Sequence, residues 1–250
     1  MNDPTVLERI RRHLPPGWKP SSSPVVHALY SVVVGGDGQN SHIRRYNLLY
    51  RYAARLERTM ELEEVFQTLE SDLHFVVAAW ARCHRLFVHA DVVGWRGKAI
   101  VIPGRSRSGK TTLVEALVKA GATYYSDEYA VFDKRGRVHP YPKPLSIREE
   151  GSERPKLYPV ESLGGCAGTQ PLPVGLIAVT KYQPGVRWRP RPLSAGQALL
   201  ALLDNTVLAR VKPELALAML QPAVADAVAL KGKRDQAEEV VASLLKCLEV

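Results

Sequence analysis

An α/β core, in which a mixed sheet is flanked by helices, together with a small α+β N-terminal subdomain, is the fold class predicted by three observations. Short apolar, β-branched runs alternate with amphipathic helical stretches from residue 86 onward, the order expected of strands and helices layered on one another. The run KAIVIPG (98–104) leads through GRSRSGKT (104–111) into TTLVEALVKAGA, so a buried strand feeds a glycine-rich loop that opens a helix. The first 85 residues differ in texture: a short helix, a Pro/Ser-rich linker, weak strands and one long helix. We therefore divide the chain into residues 1–85, a candidate partner or substrate-binding subdomain, and 86–250, the main domain.

Element by element, Thr5 to His13 reads as a helix, and PPGWKPSSSP after it holds too many prolines for a regular element. ALYSVVV (28–34) reads as a strand, and Ile43 to Arg58 as one or two strands with helix as the competing reading. Met60 to Arg82 is a helix by the spacing of Leu62, Val65, Phe66, Leu69, Leu73, Val76 and Val77, a stripe that signals packing. LFVHADVV (86–93) and KAIVIPG read as strands joined by a tight turn at GWRGK. The helix after the loop buries Leu113, Ala116, Leu117 and Ala120 and ends near Gly121. TYYSDEYAVFD (123–133) is a strand or strand pair, and HPYPKPLSIRE is punctuated by proline. The remaining expectations are a strand at 174–185, a helix capped by Ser194 and running to Leu203, a helix over Pro213–Leu220, a strand at 224–232 and a last helix over Asp235–Leu248.

Composition narrows the function. The 250 residues are 46% hydrophobic and 24% charged, an ordinary balance for a chain with a real core. No apolar run approaches the roughly 18–20 residues of a membrane span, and the N-terminus has no apolar signal core. Cys83, Cys166 and Cys247 are widely separated, which fits reduced thiols and a cytoplasmic protein rather than a metal site or disulfide framework. The net charge of +9, with a mild cluster at Arg187, Arg189 and Arg191, attracts polyanions: nucleotides, phosphorylated ligands or acidic peptides. No nucleic-acid-binding motif accompanies that charge, so neither nucleic acid nor membrane is expected as a partner.

The loop carries the chemistry. GRSRSGKT matches G-x-x-x-x-G-K-[ST] at every fixed position and has the strand before and helix after that the mechanism needs. Its glycines let successive N–H groups turn inward on phosphate oxygens, and the helix start adds positive potential. Gly104, Ser106, Ser108, Gly109, Lys110, Thr111 and Thr112 are the expected nucleotide-binding residues, with Lys110 on the β- and γ-phosphates and Thr111 on Mg²⁺. Arg105 and Arg107 either add to the field over the nucleotide or point to solvent. Asp127 and Glu128 close TYYS; in a parallel core that strand end lies near the loop, where one carboxylate can hold Mg²⁺ and the other can take a proton from an alcohol. Read in isolation, the pair is equally an exposed acidic turn. His89 on its apolar strand is as readily a packed core histidine as a site residue, and Arg148 and Lys181 are candidate phosphate clamps that read more readily as surface cations. The same patterns admit a kinase first, a nucleotide-binding regulatory or scaffold protein without phosphoryl transfer second, and a simple ATPase or motor third, which no second phosphate-sensing segment, arginine-finger motif or repeat favours.

FVHADVV, AIVIPGRSRSGKTTLVEALVKAGA, TYYSDEYAVFD and HPYPKPLSIRE together resemble the catalytic domain of HPr kinase/phosphorylase and its relatives, over about residues 86–250. The resemblance implies an HPr kinase/PEP carboxykinase-like fold and ATP-dependent phosphorylation of a serine hydroxyl on a protein or peptide, with Mg²⁺. It also implies relatives that assemble as homo-oligomers. By the same resemblance Asp127 takes the place of the catalytic base, Glu128 that of the second acid, and His89 that of a histidine near the phosphates. The chain departs from the family in three ways: Glu128 stands where Asp is common, the loop ends Lys-Thr-Thr instead of Lys-Ser-Glu, and no Arg-Gly-Leu-Gly stretch follows the acidic pair, only Ile147-Arg148-Glu149-Glu150-Gly151. These departures point away from HPr as substrate and from a reverse phosphorylase reaction, towards divergent relatives, some of which modify peptides.

Overall fold

The computed structural model describes residues 5–35, 45–80, 84–104, 109–147 and 156–249. The chain divides into two compact units, Met1–Trp80 and Ala81–Val250.

In the first unit, α1 (Val6–Ile10) continues as a 3-10 turn over Arg11–His13, so the expected helix is present but tightens halfway. β1 (Tyr30–Val33), β2 (Asn47–Arg51) and β3 (Ala54–Thr59) form an antiparallel sheet in that order, which resolves the strand-or-helix ambiguity over 43–58 as a hairpin. α2 (Leu62–Trp80) contributes Val65, Phe66 and Leu69 to a core shared with Val6, Ile10, Val32 and Leu49. Inside this unit Asp72 accepts hydrogen bonds from the Tyr30 hydroxyl at 2.6 Å and from Arg51 at 2.9 Å, joining helix to sheet.

The second unit is built on one mixed sheet. Its members in chain order are β4 (Leu86–Trp95), β5 (Lys98–Pro103), β6 (Thr123–Ser126), β7 (Tyr129–Phe132), β8 (Val138–His139), β11 (Val174–Tyr182), β12 (Arg191–Pro192) and β13 (Val228–Arg234). β9 (Leu145–Ile147) and β10 (Lys156–Tyr158) pair separately as a two-stranded ribbon. The spatial order is β12-β13-β11-β5-β4-β7-β8, with β6 also on β4. Among its paired strands, β5 with β11 and β11 with β13 are the parallel pairs. β4 runs antiparallel to β5 because the tight turn at Arg96–Gly97 folds one strand back on the other.

Helices cover both faces. Strand alternation sends Ala99 and Val101 of β5 into a core with α4 (Ala195–Leu203) and α5 (Pro213–Ala225), while Ile100 and Ile102 pack with α3 (Lys110–Lys119) and α6 (Glu238–Lys246). Ser194 caps α4 as expected, completing a capping box in which its hydroxyl accepts from the Gln197 N–H and the Gln197 side chain accepts from the Ser194 N–H. α5 continues past the expected end at Leu220 and carries Pro222 inside its last turn. Among the described residues, no helix is long and apolar enough to cross a membrane, and Cys166 and Cys247 are free thiols; Cys83 lies outside them.

One expectation about topology is corrected. TYYS was expected in a parallel core, yet β6 pairs antiparallel with β4, as does β7, the two lying end to end along it. The β4–β5 hairpin occupies the position beside β5 that a simple parallel crossover would have filled. β6 still runs in the direction of β5, so its C-terminal end reaches the edge of the sheet where β5 meets the glycine-rich loop.

Candidate functional site

The site grows from the alternation of β4. Asp91 is paired with Ile102 in the β4–β5 register, which puts it on the α3 face of the sheet, and His89 lies two residues earlier on the same face. The chain leaves β5 at Gly104, and α3 begins with Lys110 directly after Gly109. Gly109 has φ +83°, and a Cβ there would lie 3.0 Å from the Arg234 guanidinium and 3.2 Å from the Tyr182 Cβ. The left-handed backbone therefore favours glycine, and the close approach leaves little room for a Cβ. Arg105, Ser106, Arg107 and Ser108 lie outside the described residues.

Lys110 is buried, and its Nζ lies 3.7 Å from Asp91 Oδ1. Asp91 is fully buried, and neither carboxylate oxygen finds a hydrogen-bond donor among the described residues. Burial pushes the Asp91 carboxyl well above the usual range; Lys110 opposes the shift, while the neighbouring acids Asp127 and Glu128 reinforce it. An ion pair this long, with no further donors, leaves most of the desolvation of a buried carboxylate uncompensated.

Asp127 and Glu128 lie between β6 and β7, where the pairing of those two strands with β4 is interrupted, opposite Ala90 and Asp91; the Ala90 N–H donates to the Glu128 carbonyl at 3.2 Å. The acidic pair is thus held by strand pairing on either side. Tyr124 Oη lies 3.0 Å from Asp127 Oδ1 and 2.8 Å from the Lys143 carbonyl. One phenol proton serves two acceptors here, and a proton on Asp127 would satisfy both contacts. That agrees with burial raising the Asp127 carboxyl above its ordinary value, against the lowering effect of Lys143. Desolvation also raises the Tyr124 phenol far above its normal range. Lys143 Nζ donates to Glu128 Oε2 at 2.6 Å.

His89 grips the start of the loop. Its Nδ1 is 2.9 Å from the Gly104 carbonyl, while the Gly104 N–H donates to the His89 carbonyl at 3.4 Å. A carbonyl only accepts, so Nδ1 carries the hydrogen and Nε2 is left as an acceptor. Burial, helped by Lys110, lowers the His89 pKa and keeps the ring neutral. Tyr129, edge-on to His89 at 5.9 Å, has its phenol pushed up to about 12 by burial and the Glu128 charge.

Three participants carried no distinguishing signal in the sequence. Asp91 reads as one polar break in an apolar strand. Lys143 reads as a surface lysine in a proline-rich stretch. Arg234 sits among Lys231 and Lys233, yet it is 1% exposed and its Nη2 donates to the Gly109 carbonyl, tying the end of β13 to the loop. Of the two candidate phosphate clamps, Lys181 stands exposed at the end of β11 and Arg148 lies outside the described residues. His139 belongs to a separate cluster around Asp133.

The donor set suits a cation that takes most of its ligands from phosphates and water. Glu128 keeps Oε1 beyond its contact with Lys143, and Thr111 offers a half-buried hydroxyl at the start of α3. Among the described residues no group of three or more His, Cys, Asp or Glu could form an all-protein metal cage.

No protein-family model matches the chain, and no curated protein matches it. Among solved structures it is similar to the HPr(Ser) kinase/phosphatase from Coxiella burnetii, at 14% identity and a TM-score of 0.35, over 64% of this chain and 93% of that one. So remote a likeness carries neither a site nor an activity to this chain.

Proposed function

We propose that the chain is an ATP-dependent kinase that transfers the γ-phosphoryl group to a serine-type hydroxyl of a protein or peptide. The observation that carries this reading is the grouping of Lys110, at the head of the helix behind the glycine-rich loop, with the acids Asp91, Asp127 and Glu128 in one charge neighbourhood. The backbone of Gly104, Ser106, Ser108 and Gly109 would hold the triphosphate, with Lys110 on its terminal phosphates and Thr112 one residue beyond the Thr111 ligand. Thr111 and Glu128 would hold Mg²⁺, which when bound neutralises charge on the β- and γ-phosphates.

Asp127 would accept the serine proton. Its raised carboxyl is a stronger base than an ordinary aspartate once ionised. The serine oxygen forms a new bond to the γ-phosphorus as the bond from that phosphorus to the β–γ bridging oxygen breaks. ADP leaves with that electron pair, and the proton resides on Asp127. His89 would keep the first glycine of the loop in place and present Nε2 as a neutral acceptor beside it.

The test follows label from γ-labelled ATP with Mg²⁺ into water, the protein itself and serine-containing peptides, for the parent, Lys110→Ala and Asp127→Asn. Peptide label that disappears in both variants supports the kinase. Tight ATP binding with no transfer to any acceptor would replace it with a nucleotide-gated binding protein.

A further inference from the structure

On the α4/α5 face of the sheet, away from Lys110 and α3, a cavity of about 930 Å³ opens beside Gly104 along the ends of β5 and β11 and the middle of β13. A second, smaller cavity of about 210 Å³ adjoins it, sharing Val179, Ala201, Asp204 and Lys231, and extends to Arg191 on the edge strand β12. Together they form a groove that crosses the sheet from the loop to its edge. Its charged lining is Lys181, Arg210, Lys231 and Arg191 against the single carboxylate Asp204. All four cations are exposed, and none is ion-paired with a described residue.

The cations are placed by strand register. Val179 is paired with Lys231, and Lys231 with Arg191, so one transverse row runs over three adjacent strands. Lys181, two residues beyond Val179, shares the face. Like charges directly opposite one another on an antiparallel pair reduce stability, and Lys231 against Arg191 is such a pair. A ligand with negative charge would relieve it.

Size selects the ligand. From β5 through β11 and β13 to β12 there are three inter-strand steps, roughly 14 Å at about 4.8 Å each. An extended chain covers that distance in about four residues. A lone small anion would engage one end of such a groove only.

We propose that this groove takes an extended acidic segment of the polypeptide substrate, with its serine at the Gly104 end and its carboxylates against Lys231 and Arg191. The assignment of the serine rests on the kinase reading; the binding of an acidic segment is tested without it. Fluorescently labelled peptides would be titrated into the full chain, each with one serine and four acidic residues on its C-terminal or its N-terminal side, beside counterparts with lysines in their place. At least one acidic peptide is expected to bind about tenfold or more tightly than its lysine counterpart, the preference falling as salt is raised. The double variant Lys231→Glu/Arg191→Glu, at two exposed positions with the fold checked by circular dichroism, is expected to lose that preference. Saturating Mg²⁺-ATP is expected not to displace the peptide. Equal binding of acidic and basic peptides, no peptide binding at all, an unchanged preference in the double variant or competitive displacement by ATP would each overturn the proposal. An acidic peptide that binds as expected but receives no phosphate, while ATP binds normally, would leave the groove assignment standing and remove the kinase.

Discussion

Asp91 on β4 and Asp133, just past the end of the paired strand β7, are the same side chain in one unit, and their environments drive them in opposite directions. Asp133, just past β7, accepts from the Arg135 and Arg137 N–H groups at 2.9 and 3.0 Å and from the side chains of Arg137 and His139 at 3.1 and 3.0 Å. Although desolvation pushes its carboxyl up, these donors outweigh it and bring it down to about 2. Asp91 is buried with no such donors among the described residues, and its carboxyl moves up. A satisfied aspartate ties down a turn, here the one through Gly136, whereas an unsatisfied one is retained at a cost to stability. In this chain the unsatisfied one lies 3.7 Å from the lysine that follows the glycine-rich segment.

If that division between a working site and a structural turn is right, substitutions on the two sides should register in different assays. The largest effect is expected from Asp127→Asn, which should slow peptide phosphorylation by about 10²–10⁴-fold while the ATP dissociation constant moves only a few-fold; single-turnover transfer and equilibrium titration measure the two. A variant that transfers at the parent rate would move the base elsewhere. Next comes Lys110→Ala, expected to weaken ATP binding by about 10–100-fold, the loss of a hydrogen-bonded charge on phosphate, and read by calorimetry.

The sharpest comparison is between the two aspartates as asparagines. A raised carboxyl makes its contribution to stability below the unfolded value near 4 and loses it as pH rises through the folded one. Asp91→Asn should therefore gain stability relative to the parent as pH rises above about 4, by up to about 1.4 kcal/mol per pH unit in the titrating range. Asp133 is depressed, so its contribution is present above pH ~4 and lost as pH falls towards about 2. Asp133→Asn should then cost about 1 kcal/mol at neutral pH, allowing for solvent screening at the strand end, with the difference shrinking near pH 2. Urea unfolding across pH measures both, and parallel pH profiles would break the comparison. Phosphoryl transfer should be unaffected by Asp133→Asn.

Signals that run along the chain were legible. The strand Lys98–Pro103 and the helix Lys110–Lys119 follow from an apolar β-branched run and a period near 3.6, and α4 begins where Ser194 and Gln197 form its capping box. Where a signal was ambiguous, tertiary pairing decided it: residues 47–59 became a hairpin against α2, and β6 and β7 both joined β4 because the hairpin at Arg96–Gly97 had placed β4 next to β5. The acidic pair was visible as Asp127–Glu128, but its position opposite Ala90–Asp91 depends on that pairing.

By itself, therefore, the sequence determined the α/β class, the glycine-rich loop and its lysine, and the acids and histidine that accompany it, because propensity, capping and motif spacing act over a few neighbouring residues. Only the tertiary structure decided that Asp91 is a buried carboxylate 3.7 Å from Lys110, that Arg234 holds the loop rather than facing water, and that Lys231 and Arg191 stand in one row. The physical reason is that charge energetics depend on burial and on partners brought from distant parts of the chain. A lysine or arginine within a basic run has the same local pattern whether it ends in solvent or beneath a loop.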